Sequence, residues 1–296
     1  MVIKRSKGEQ IFEVFNILLM LFLMFITIYP LWYVLACSFS DPVKLMGHEG
    51  FLFWPLGEPT LKGYEMTFAS NNIVVGYRNT MFYVIAGTCI NLLMTSLGAY
   101  VLTRKGFMIA KPMSIMCVVT MYFSGGLIPS FLLVKNLGLY DSVWAIILPT
   151  AINVWNLMIM RTFFAGIPQA LEESAIIDGA NDWVVFTRVI LPLSKPIIAV
   201  MVLYYGVEHW NSWFQAQIYL RDRKLYPLQL FLREILVKNV GATSTTVTAS
   251  DMQQESYYRE LLQYCSIIVS TVPILCVYPF LQKYFVQSVM IGAIKG

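Results

Sequence analysis

Residues 172–196, EESAIIDGANDWVVFTRVILPLSKP, carry a charge every few positions and are punctuated by Gly179 and Pro192. Long apolar runs flank them, so the stretch is a polar island in a chain otherwise suited to lipid. The 296 residues are 57% hydrophobic, 15% aromatic and 13% charged, with a mean hydropathy of +0.64. Soluble domains hold roughly 45–50% apolar and about 25% charged residues. The chain is therefore read as an integral membrane protein. Its net charge of +4 is spread over loops, as membrane-protein Lys and Arg commonly are, and carries no nucleic-acid reading. Cys37, Cys89, Cys117, Cys265 and Cys276 sit singly in apolar runs without CxxC spacing, which suits small hydrophobes better than metal ligands or disulfide partners.

A bilayer core requires about 20 mostly apolar residues per helix. Six intervals free of Asp, Glu, Lys and Arg are bounded by Glu13 and Asp41, Arg78 and Arg104, Lys111 and Lys135, Asp141 and Arg161, Lys195 and Arg221, and Glu260 and Lys283, with Glu208 as the one interruption. They predict an all-α, polytopic fold with six transmembrane helices over 11–285. The first run is too long for a signal peptide and shows no small-residue cleavage site, so it is read as a retained helix. An even count puts both termini on one side. Lys4, Arg5 and Lys7 in the tail 1–10, with the short loop Arg104, Lys105 and Lys111, assign that side, and the tail 286–296, to the cytoplasm. Arg221, Arg223 and Lys224 place cations on the other face as well. Gly125, Gly126 and Pro129 interrupt the third run, and Pro273 and Pro279 the sixth; such breakers fit a packing kink or a cavity that satisfies the freed backbone. Gly241 to Ser250, GATSTTVTAS, is flexible by composition.

Within the island, Pro168 suits a first helical turn, Glu172 and Glu173 its N-terminal half, and Gly179 a left-handed end. Asn181 or Asp182 can cap a second short helix carrying Trp183, Val184, Phe186, Val189 and Ile190, which stops at Leu191-Pro192. By spacing alone this helix-turn-helix could be an amphipathic connector at the membrane surface.

The residue order adds to that. Glu173-Ser174-Ala175, three residues, Gly179, nine residues, Val189, one residue and Leu191-Pro192 closely resemble the EAA signature of ABC importer permeases, EAA-x3-G-x9-I-x-LP. Ser174 and Val189 depart from it, both conservatively. The stretches SGGLIPSFLLVKNLGLYDSVWAIILP, MRTFFAGIP, EHWNSWFQAQIYL and YPFLQKYFVQSVMIGAIKG are similar to the carbohydrate-uptake branch, in particular to permeases for polysaccharides, oligosaccharides or uronate-containing glycans. The resemblance implies a type I importer permease fold, with a cytoplasmic coupling helix in a loop at about 163–195. It implies a second, homologous permease, two cytoplasmic ATPases that bind ATP and Mg, and an extracytoplasmic sugar-binding protein. No cofactor, metal or catalytic residue is then expected in this chain. The coupling positions carried over are Glu173, Ser174, Ala175, Asp178, Gly179, Leu191 and Pro192. Glu173 and Asp178 offer charge to an ATPase groove, although Asp178 equally suits a turn contact within the permease, and Gly179 is a backbone requirement. The tail GAIKG resembles family tails that reach between the ATPases. Localisation in the bacterial cytoplasmic membrane follows.

Sugar sites combine aromatic faces with amides and carboxylates. Asn153, Trp155 and Asn156 in the fourth run, and Glu208, Trp210 and Asn211 in the fifth, are the candidates for a substrate path. Glu208 stands out because an ionisable group within a span faces a cavity or a partner, with His209 and Arg221 as possible partners. Trp210, Trp213 and Tyr219 also fit an interfacial aromatic belt, and the asparagines interhelical hydrogen bonds. A membrane enzyme would need a HExxH pair or convergent aspartates, and the chain has only His48 and His209. An ion-driven secondary transporter, the alternative, is typically built from internal repeats and several intramembrane acidic groups; Glu208 is the one acidic residue deep in a run. There is no GxxxxGK[ST] stretch, so ATP-driven transport would take its ATPase from another polypeptide.

Overall fold

The computed structural model describes residues 7–46, 48–104, 106–238, 258–277 and 279. Lys4, Arg5, Lys105, the loop 241–250 and the tail 286–296 lie outside them. In chain order the helices are α1 (Lys7–Ser38), α2 (Pro42–Leu45), α3 (Lys62–Ala69), α4 (Asn71–Thr103), α5 (Ala110–Tyr122), α6 (Leu127–Asn136), α7 (Trp144–Ile147), α8 (Val154–Ala165), α9 (Gln169–Ile177), α10 (Asp182–Leu193), α11 (Lys195–Trp210), α12 (Trp213–Tyr219), α13 (Leu228–Lys238) and α14 (Tyr258–Val277). No strand occurs among the described residues.

By length and composition α1, α4 and α14 could each cross a membrane, and the count reaches five if the bent pairs α5–α6 and α10–α11 each make one span. The interval Asp141 to Arg161 is not one continuous helix. There α7 ends at Ile147, and Asn153 starts α8 afresh by accepting hydrogen bonds from Trp155 N (3.0 Å) and Asn156 N (3.3 Å). The α5–α6 bend is 117°, and Gly126 at φ +87° supplies the positive-φ backbone that precedes α6. The breakers Gly125, Gly126 and Pro129 thus mark a reversal rather than a shallow kink.

The chain divides into two compact units, residues 1–70 with 235–271 and residues 71–234 with 272–296. In the first, Cys37 at the end of α1 packs with Leu45, Leu52, Leu261 and Cys265. Side chains of α1, and Ser40 just beyond it, satisfy the loop that follows: Leu52 N donates to Tyr29 Oη (2.9 Å), Leu56 N to Ser40 Oγ (2.9 Å), and Trp32 Nε1 to Phe53 O (2.8 Å). Buried backbone groups require such partners.

In the second unit α4 is the spine. Ala99, Tyr100 and Leu102 share a core with Leu157 and Met160 of α8, Phe186 and Ile190 of α10, and Met201 and Tyr205 of α11. Between membrane helices, close van der Waals packing at small residues replaces the hydrophobic drive available in water. Gly87 shows this: a Cβ there would collide with the His209 ring. The widened turn Tyr83–Gly87 falls at this contact. At the start of α4, Asn79 Nδ2 donates to Lys224 O (2.6 Å), Tyr83 Oη to Leu225 O (2.8 Å), and Thr80 Oγ1 accepts from Leu228 N (2.8 Å). These bonds fix the segment between α12 and α13.

Candidate functional site

The polar island folds as a helix pair. Ser174 Oγ donates back to Ala170 O (2.8 Å), and α9 closes with Asp178 N donating to Ser174 O (3.0 Å) and Ala180 N to Ala175 O (2.9 Å). Gly179 turns the chain at φ +86°. Asn181 Oδ1 then accepts from Val184 N (2.9 Å), so Asn181 rather than Asp182 caps α10. Pro192 falls at the end of the second helix, as its position predicts. It lies in the last turn of α10, which bends by 81° into α11 after Leu193. The widened turn Val185–Ile190 precedes it, and the N–H that Pro192 lacks removes one bond from the ladder just before the bend.

The pair has two faces. Val185, Phe186 and Ile190 are buried, with Ala175, Ala180, Val189 and Leu191 packed against the same core. Glu173, Ser174, Asp178, Gly179 and Pro192 are exposed, and Ile176, Ile177 and Trp183 are 53%, 85% and 60% exposed around the turn. The turn thus presents an exposed apolar tip edged by carboxylates. On the side towards α4, Glu172 forms a bidentate ion pair with Arg104. Sequence spacing gave no sign of this pairing.

The six candidate path residues divide. Asn153 N donates to Tyr205 Oη (3.4 Å), which lies 2.6 Å from Thr95 Oγ1, and Glu208 is partly buried one turn further along α11. A polar chain therefore links α4, α8 and α11. His209 belongs to a second link: Asn91 Nδ2 donates to Thr150 O (2.5 Å), which leaves Asn91 Oδ1 to accept from His209 Nε2 (2.7 Å). Tyr205, Thr95 and Asn91 carried no motif that could have singled them out. Asn156 and Trp210 are buried, at 3% and 6% exposure, with Trp210 edge-on to Tyr77 at 6.3 Å. Asn211 is exposed, but its Nδ2 bonds to Val207 O of its own helix (3.0 Å). Trp155 is 61% exposed and lines, with Tyr122, Met158, Phe163, Leu171 and Leu193, an apolar cleft of about 850 Å³.

A cationic, aromatic surface covers the segment after α12. Arg221 stands 5.8 Å from the Tyr140 ring centre, Arg223 5.9 Å from that of Tyr226, and Arg233 4.6 Å from that of Trp213. Arg223 pairs with Glu234 (2.7 Å) and Arg233 with Gln217. The Asp141 carboxylate accepts from Arg221 N (2.7 Å) and Asp222 N (2.9 Å). The Asp222 and Arg221 amides hold it below the usual carboxylate range. Among the described residues no group of His, Cys, Asp and Glu could hold a metal ion.

No family model matches the chain. It is 38% identical to the polygalacturonan/rhamnogalacturonan transport system permease protein of Bacillus subtilis (strain 168), over 97% of this chain and 99% of that one. To the galactooligosaccharides transport system permease protein of the same organism it is 29% identical, with 95% of each chain covered. The crystal structure of a bacterial ABC transporter involved in the import of the acidic polysaccharide alginate has a chain with a TM-score of 0.86 and 29% identity, covering 95% of this chain and 99% of that one.

Proposed function

The chain belongs to the permease subunits of carbohydrate-importing ABC transporters, and from that premise we propose that it imports an acidic oligosaccharide or polysaccharide fragment as half of a two-permease pathway. Its partners are a second permease, two ATPases that hold ATP and Mg, and an extracytoplasmic binding protein. It lies in the bacterial cytoplasmic membrane with both termini inside, and carries out no covalent chemistry itself. The observation that carries the coupling role is the helix pair at 169–193. Its buried face is locked into the core by Val185, Phe186 and Ile190, while Ile176, Ile177, Trp183 and Glu173 face outward. Closure of an ATPase dimer would push on this tip, and the locked face would pass the displacement to α4, α8 and α11.

Two observations support an anionic substrate: the relatives named for polygalacturonan and alginate, and the Arg221, Arg223, Lys224 and Arg233 surface with its aromatic rings. In the path, Glu208 and Asn153 supply hydrogen-bonding groups, and Trp155 and Tyr122 supply ring faces. The test is purification of the tagged chain in mild detergent, followed by ATP hydrolysis assays with the co-purified subunits, binding protein and either oligogalacturonides or neutral galactooligosaccharides. Stimulation by oligogalacturonides supports the reading. Stimulation by the neutral sugar alone rejects the anionic class, and a chain that purifies alone and moves solute without ATP rejects the importer.

A further inference from the structure

Tyr100 and Arg104 lie one turn apart at the C-terminal end of α4, outside the signature positions. The Arg104 guanidinium grips Glu172 with two parallel bonds (Nη1–Oε2 2.6 Å, Nη2–Oε1 2.7 Å) and stands 4.1 Å from the Tyr100 ring centre. Tyr100 Oη donates to Asp182 O (3.1 Å), and its ring lies 5.0 Å from that of Phe186. Two side chains of one helix therefore hold both members of the pair, α9 through Glu172 and α10 through Asp182 and Phe186. The ion pair is only 22% and 15% exposed on its two sides. Partly buried, bidentate, charge-assisted bonds are stronger and less screened by salt than those on an open surface.

We propose that Arg104 is a positioning residue for transport: with Glu172 it forms the rigid joint through which movement of the helix pair 169–193 is delivered to α4. This rests on the reading of that pair as the ATPase-coupling element. One hydrogen bond would act as a pivot. A planar fork, a stacked ring and a second tether to α10 together fix the direction as well as the distance between α4 and the pair. Further along, α4 carries Thr95 and Asn91, which contact Tyr205 and His209 of α11, so a displacement at Arg104 reaches the polar chain through one continuous helix. Lysine would keep the charge but lose the fork and the flat stacking surface.

The test uses the complete transporter in proteoliposomes, with binding protein and oligogalacturonides, and compares uptake per ATP hydrolysed. Arg104→Met and Glu172→Gln should each assemble with the ATPases, retain basal hydrolysis and lower that ratio by roughly five- to a hundredfold, the usual range for coupling between linked sites. The double variant should be no worse than either single one, because both remove the same interaction. Arg104→Lys should fall between, and the exchange Arg104→Glu with Glu172→Arg should recover part of the loss. A wild-type ratio in Arg104→Met, or defects of the single variants that multiply in the double, would overturn the joint. If Arg104→Met does not assemble, a wild-type ratio in Arg104→Lys overturns it. A wild-type transporter whose hydrolysis never responds to loaded binding protein removes the coupling reading and the joint with it, an outcome distinct from variants that match a working parent.

Discussion

Gly179 is a position where a conformational demand can be separated from a contact. Its φ is +86°, and a Cβ there would meet nothing within 4 Å, so substitution within the permease is penalised through the backbone alone. Left-handed backbone costs an L-residue roughly 1–2 kcal/mol, more for a β-branched side chain, while asparagine tolerates it comparatively well. Gly179→Val is expected to insert normally and lose most uptake, and Gly179→Asn to retain most of it, read as uptake normalised to protein in the membrane. Equal loss in both would mean that the ATPase contacts this position and that the turn geometry is secondary. Gly179 and the Asn181 cap were legible in the sequence because helix ends are set by neighbours a few residues away. Arg104 and Glu172 were not: they are 68 positions apart, and spacing within one helix says nothing about which charge meets which across two. Trp155 and Trp210 looked alike as sugar-stacking candidates, and only packing against Tyr77 distinguishes the buried ring from the exposed one.

Among the elements, the loop before α7 is hydrogen-bonded to the segment after α12 through Asp141. Asp141, at φ 57°, donates from its N–H to Tyr219 O (2.9 Å) and accepts Arg221 N and Asp222 N on a single oxygen. Those amides stabilise the ionised form and lower its pKa below the ordinary carboxylate value. A carboxyl whose folded pKa is depressed stabilises the fold above its unfolded value, and loses that contribution as pH falls through the folded one. The tie should therefore be intact at neutral pH and weaken below about pH 4. Asp141→Asn keeps the accepting oxygen and tolerates positive φ, so it should remove the acid-sensitive part of the stability without dissolving the loop. Thermal unfolding of the detergent-purified transporter at pH 7 and below pH 4 measures this; identical pH dependence in parent and variant would exclude Asp141 as the source. The helix-turn-helix at 169–193 was legible as two elements, since caps and Gly/Pro punctuation are local. The widened turn at Val185–Ile190 was not, because Phe186 and Ile190 on it pack against α4 and α8, whose residues are distant in sequence.

For the whole molecule, composition was enough to place the chain in a membrane, but charge-free intervals overstate regularity. Length without charge is necessary for a span, yet Pro149 and the Asn153 cap break the fourth interval, and the α5–α6 reversal divides the third. The direction of crossing is a separate quantity, and positive charge does not settle it cleanly, because Arg104 and Arg161 lie towards one end of the second unit and Arg221, Arg223 and Lys224 towards the other. It can be read from two positions flanking α11 and α12. Asp178, at the turn of the coupling pair, and Asp222, after α12, are both exposed and lie on opposite ends of that stretch in sequence. In a background with the five native cysteines replaced, necessary because Cys89 and Cys276 are exposed, Asp178→Cys is expected to react with a membrane-impermeant maleimide only in inside-out vesicles. Asp222→Cys should react only in intact, right-side-out cells. The tip of the pair would then face the ATPases and the cationic surface would face the binding protein, as import of an acidic sugar requires. The reverse labelling would put Arg221, Arg223 and Lys224 in the cytoplasm, where they could not receive the substrate. Labelling of both from one side would mean that α11 and α12 do not cross, and the bent pair α10–α11 would then be a re-entrant element rather than a span.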